Sequence, residues 1–155
     1  MSEPVSEPVG DLYQELILDH HKRPRNRRPQ TCPSGSAEGH NPLCGDRVKV
    51  YYTVEDGRIT DVSFEGTGCA ISQAAASLMT VAVKGKTPAE AGALFDRFHD
   101  MILGHAVEPL DAETLGKLRA FAGVAAFPAR VKCASLAWHT LRAALAGKDT
   151  ADSSE

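Results

Sequence analysis

The clearest pattern in the chain is an alternation between residues 47 and 55. Val48, Val50, Tyr52 and Val54 fall on one side; Arg47, Lys49, Tyr51, Thr53 and Glu55 fall on the other. A period of two with one apolar side predicts a strand buried on a single face. Asp56-Gly57 follows, a dipeptide that favours a tight hairpin turn. Arg58–Phe64 reads as the returning strand. Val62 and Phe64 are in phase in it and Ile59 is not, so a bulge or a late start is expected. Ser36–Leu43 is a candidate edge strand ahead of the hairpin.

Outside this region the spacing is helical. Asp11–His21 reads as a short helix with Asp11 as N-cap and Leu12, Leu16 and Ile17 on one face. Ile71–Lys84 reads as a second, stopped by Gly85. Thr87-Pro88-Ala89-Glu90 combines an N-cap, a first-turn proline and a capping-box glutamate. The helix it opens carries Leu94, Phe95, Phe98 and Ile102 on its core face. Asp111 is expected to cap a short helix through Leu118 and Phe121. Pro128 opens the last helix, where Ala134, Ala137, Trp138, Leu141 and Leu145 form a buried stripe. Three strands followed by helices predict an α+β domain, a three-stranded antiparallel sheet with helices packed on one face.

Length and composition narrow the function. At 155 residues the chain fits one domain, expected over residues 11–146. Residues 1–10 repeat SEPV and residues 147–155 are polar, so both ends read as disordered tails. The net charge of −3 gives no sign of nucleic-acid binding. The polar, acidic N-terminus is unlike a signal peptide, and no apolar run approaches a membrane span, so a cytoplasmic protein is expected. The basic stretch Lys22, Arg23, Arg25, Arg27 and Arg28 reads either as a solvated loop or as a docking surface for an acidic partner.

Four cysteines are too few for a disulfide scaffold. Cys44 lies in Asn41-Pro42-Leu43-Cys44-Gly45-Asp46, just before the first long strand. Cys69 lies in Gly66-Thr67-Gly68-Cys69-Ala70, just after the returning strand and ahead of a helix. A hairpin brings the start of one strand to the end of its partner, so Cys44, Asp46 and Cys69 are expected at the same end of the sheet. Cys133, one turn into the last helix, joins them only if that helix packs its N-terminus there. Three cysteines and one aspartate suit tetrahedral zinc. They would leave a charge of minus two, which Arg47, Arg130 and Lys132 are placed to offset. With no CxxC pair present, spacing alone favours ordinary buried or surface cysteines over a shared metal site. Cys32, in an exposed-looking loop, reads as a bystander thiol, and no histidine stands at ligand spacing from the cysteines.

With these residues laid out, the chain resembles the SufU family, within the wider IscU/NifU-like group of iron–sulfur assembly proteins. The resemblance runs from Asp11-Leu12-Tyr13 to about Leu145. It is carried by Asp19–Asn26 (DHHKRPRN), Asn41–Asp46, Phe64–Ser72 (FEGTGCAIS) and Phe127–His139 (FPARVKCASLAWH). It implies zinc held by Cys44, Asp46, Cys69 and Cys133, and a pyridoxal-phosphate cysteine desulfurase as partner alongside other assembly proteins. It also implies that Cys44 accepts persulfide sulfur, with Arg130 neutralising the site or contacting the transferred sulfur. IscU-like proteins carry a histidine before the last cysteine, where this chain has Lys132, and a Leu-Pro-Pro-Val-Lys segment that this chain lacks. Residues from about Gly104 to Val124 resemble a SufU-type insertion. These departures favour a zinc-dependent sulfurtransferase; the alternative is a scaffold that holds a transient iron–sulfur cluster.

Overall fold

The computed structural model describes residues 6–42, 45–104 and 115–152. In chain order these form α1 (Ser6–Lys22), β1 (Gly35–Asn41), β2 (Asp46–Glu55), β3 (Arg58–Thr67), α2 (Ala70–Val83) and α3 (Pro88–Ile102). A 3-10 helix (Gly116–Ala126), α4 (Pro128–Leu145) and β4 (Thr150–Asp152) follow. Asp56 and Gly57 both take positive φ, 53° and 77°, as a two-residue turn matched to strand twist requires. Of the two expectations for Ile59, a bulge or a late strand start, the bulge is present. Thr53 pairs with Asp61 and Val54 with Ile59, so Thr60 is the extra residue and Ile59 turns into the core, fully buried.

The fold is α+β, as the patterning predicts, with two differences at the sheet. It has four strands in the order β3-β2-β1-β4. Asp152 pairs with His40 and Thr150 with Glu38, so β4 runs parallel to β1 and β1 is not an edge. These pairings lie inside the segment read as a C-terminal tail. A three-residue polar strand has no apolar period, and it forms because β1 offers it an unpaired backbone edge. At the other end, Ser6–Gly10 belong to α1 rather than to a tail, and Asp11 is inside the helix rather than its cap. Pro8 does not prevent this, because the first-turn N–H groups have no helical partners to lose. The expected cap Asp111 lies outside the described residues. Leu118 and Phe121 are buried on the 3-10 helix.

The core lies between the inner face of the sheet and the helices. Val50, Val62 and Phe64 pack with Met79, Phe98, Leu136 and Trp138, all fully or almost fully buried. The capping box at Thr87 and Glu90 is formed as expected, with both reciprocal hydrogen bonds in place. Helix α4 comes unusually close to β1 because Gly39 has no side chain: a Cβ there would collide with Thr140 Oγ1. Among the described residues no helix is long and apolar enough to cross a membrane.

Two residues of the basic stretch are used inside the fold. Arg25 pairs with Asp19 at 2.6 Å and Arg28 with Asp61 at 2.7 Å. His20 is buried beneath them, its Nδ1 2.7 Å from Ser77 Oγ. Loss of solvent and the nearby Arg25 hold its pKa down at about 4, with Lys117 acting in the same direction and Asp19 against it. A histidine whose pKa falls on folding stabilises the protein while neutral, and that stability is lost as pH drops from about 6.5 through about 4. The full loss amounts to about 3 kcal/mol, of which about 2 kcal/mol is gone by pH 5. Urea unfolding at pH 7 and pH 5 should show a decline of this size, shallower in His20→Gln. An equally steep decline in that variant would place the proton uptake elsewhere.

Candidate metal centre

Backbone register builds most of the site. Arg47 pairs with Thr67 across β2 and β3, and Asn41 pairs with Asp46 across β1 and β2. The start of β2 and the turn after β3 therefore share one end of the sheet. Asp46 points inward and is 1% exposed, and its Oδ1 accepts the Cys69 N–H at 3.1 Å. Gly68 makes this approach possible, since a Cβ on it would lie 2.6 Å from Asp46 Oδ1. Cys69 is the N-cap of α2, and its Sγ accepts the Ser72 N–H at 3.4 Å. Helix α4 brings Cys133, 3% exposed, to the same point. The ligand atoms of Asp46, Cys69 and Cys133 all lie within 4.8 Å of one another.

The chemistry of this cluster suits a soft divalent cation. The Cys69 thiol is drawn down to about 6, first by its hydrogen bond with Cys133 and then by the Ser72 and Ile71 backbone N–H groups. Burial and the Asp46 charge oppose the shift. Asp46 Oδ2 is buried without a hydrogen-bond partner. An unpaired carboxylate oxygen beside two thiols is costly to bury unless a cation compensates it. Donors at roughly 2.0–2.3 Å from one zinc ion lie about 3–4 Å apart, and the three donor atoms here are already gathered within 4.8 Å of one another. The residues present therefore fit zinc, with three described donors converging from β2, α2 and α4.

Cys44, the fourth expected donor, lies outside the described residues, and the Gly45 N–H beyond it donates to Asn41 O at 2.8 Å. Arg130 is exposed one turn before Cys133, with its guanidinium 4.8 Å from the centre of the Phe127 ring. Lys132 is half-buried beside Cys133, and Cys32 is exposed. His139 packs edge-on against Phe95, and Trp138 is a core residue. Sequence reasoning missed Asn41, whose Nδ2 donates toward Cys133 Sγ at 3.9 Å while its backbone pairs with Asp46. Its place at the head of the Asn41–Asp46 segment was the available signal. Arg27, already named in the basic stretch, reaches Gly66 O at 2.8 Å from a segment running beside β3, a contact that no local pattern announces.

Comparison with known proteins gives the family and the fold. The NifU-like N-terminal domain family matches residues 12–146. The zinc-dependent sulfurtransferase SufU of Bacillus subtilis is 40% identical over 141 residues, 91% of this chain and 94% of that protein. The iron–sulfur cluster assembly scaffold protein IscU of Streptococcus pyogenes is 41% identical over 137 residues, 88% of this chain and 84% of that protein. Among solved structures, an iron–sulfur cluster assembly scaffold protein for the SUF system from Fervidobacterium islandicum superposes with a TM-score of 0.79 at 38% identity. The match covers 84% of this chain and 94% of that one. The chain belongs to the NifU-like N-terminal domain family, with SufU and IscU proteins of iron–sulfur cluster assembly among its relatives.

Proposed function

We propose that this chain is a zinc-dependent sulfurtransferase of iron–sulfur cluster assembly. It takes sulfur from a pyridoxal-phosphate cysteine desulfurase onto Cys44 and passes it to other assembly proteins in the cytosol. The observation that carries the reading is the cluster of Asp46, Cys69 and Cys133, with the buried Asp46 Oδ2 left for a metal. Lys132 beside Cys133, in place of the histidine of IscU-like proteins, favours sulfur transfer over cluster assembly.

Asp46, Cys69 and Cys133 would hold zinc with Cys44 as the fourth ligand. Zinc keeps thiolates deprotonated at neutral pH. Cys44 then attacks the terminal sulfur of the donor's persulfide. A sulfur–sulfur bond forms at Cys44, the donor's own sulfur–sulfur bond breaks, and the donor cysteine leaves as thiolate. The proton on the terminal sulfur travels with it, and no external oxidant or reductant is consumed. Asp46 and the Cys69 N–H keep the remaining donors in place, and Arg130 offsets negative charge beside them.

Desulfurase turnover with and without the zinc-loaded chain tests the proposal, and a severalfold rise is expected. No rise would remove it. The scaffold reading is favoured by the IscU relative at 41% identity. Its test is anaerobic incubation with iron and sulfide, where a scaffold gains visible absorption and a zinc carrier stays colourless.

A further inference from the structure

The cations around the metal centre have no counterpart among the described acids. Arg27 reaches Gly66 O from the outer edge of β3. Arg47 is exposed on the outer face of β2, directly after Asp46. Arg130 and Lys132 stand on the first turns of α4, three residues and one residue before Cys133. Among the described residues none of the four takes part in an ion pair. Arg25 and Arg28, from the same basic stretch as Arg27, do pair with acids of the fold. Glu65, in the row before this end of β3, is held by Tyr51 Oη at 2.5 Å.

Three thiolates and a carboxylate on a divalent cation carry minus two, so four positive side chains exceed what neutralisation needs. The surplus sits on a chain whose net charge is −3. Unpaired charge of one sign gathered at a reactive end is the arrangement that steers and orients a partner of opposite charge.

We propose that this end of the sheet docks a persulfide-donating protein that presents carboxylates around its reactive sulfur, and that Arg27 and Arg47 are contacts with those carboxylates. The proposal rests on the sulfur-carrier reading and names what the donor's surface must look like. Arg27 is suited to the role because its contact with Gly66 O fixes it beside the turn that carries Cys69, while its remaining donors stay in solvent.

The test is a titration of the organism's own pyridoxal-phosphate cysteine desulfurase with the zinc-loaded chain. Arg27→Glu should raise the concentration giving half-maximal stimulation by roughly tenfold, with the maximal rate and zinc content kept. Arg27→Lys should stay within about threefold of wild type, and Lys148→Glu, a remote exposed cation, should match it. Salt should raise the wild-type value more than that of Arg27→Glu. Arg47→Glu is the second variant if Arg27→Glu does not fold. Half-maximal concentrations unchanged in both variants would overturn the docking surface while the carrier reading stands. Loss of zinc from Arg27→Glu would overturn it too, showing that the charge serves the metal. Competition by a short duplex DNA at the same concentrations would assign the surface to nucleic acid instead. A wild-type chain that never stimulates the desulfurase would remove the carrier reading, and this partner with it.

Discussion

Cys133→Ser is expected to lose its zinc and to melt about ten degrees below the wild type. The described donors belong to β2, to the N-cap of α2 and to α4, so one ion ties the end of the sheet to two helices. A ligand present at about a thousand times its dissociation constant stabilises the native state by about 4 kcal/mol. For a chain of this size each kcal/mol moves the midpoint by about 2–4 °C. Asp46 increases the penalty, because without a cation its buried Oδ2 has nothing to offset its charge. Cys69→Ser should behave like Cys133→Ser, and chelation of the wild type should reproduce both. Cys32→Ser should keep its zinc and its melting temperature, since that thiol is exposed and outside the cluster. Elemental analysis alongside thermal unfolding measures both quantities. A Cys133→Ser protein with a full complement of zinc would show that the ligand set is misassigned.

Cys44→Ala should reduce desulfurase stimulation to background while the fold survives. The two effects separate because three donors remain and water can take the open zinc position. Partial zinc content and an unchanged circular dichroism spectrum are therefore expected. After reaction with the desulfurase, mass spectrometry of the wild type should find added sulfur on Cys44, removable by reductant. Sulfur on Cys69 or Cys133 instead would reassign the acceptor. So would Cys44→Ala that stimulates as well as wild type. The expected difference from Cys133→Ser follows from position: Cys133 is buried in a helix against the core, whereas Cys44 is followed by Gly45, with φ of 75°, in the short connection between β1 and β2.

Local periodicity makes much of this protein legible in its sequence. The alternation from Arg47 to Glu55 and the Asp56-Gly57 turn specified a hairpin, because side chains on a strand change face at every residue, and the out-of-phase Ile59 left a bulge or a late strand start, of which the fold takes the bulge. Thr87 and Glu90 marked the start of α3, because helix ends need local partners for their N–H groups, and Pro128 the start of α4, because proline lacks the N–H that a first turn leaves unpaired. The hairpin also placed Asp46 and Cys69 together, since strand pairing alone fixes which ends meet.

What the patterning did not contain was decided by packing between distant segments. Strand β4 exists because the backbone edge of β1 is available to it, and nothing in Thr150, Ala151 or Asp152 announces a strand. Cys133 joins the cluster because α4 lies flat on β1 and β2, which requires the absent side chain of Gly39 opposite Thr140. Asn41 meets Cys133 across 92 positions of sequence, and Arg27 meets Gly66 across 39. Residue type and local spacing encode which backbone conformation a segment prefers and which face it buries. Which segments then meet depends on how whole faces fit together, and that fit is a property of the assembled core.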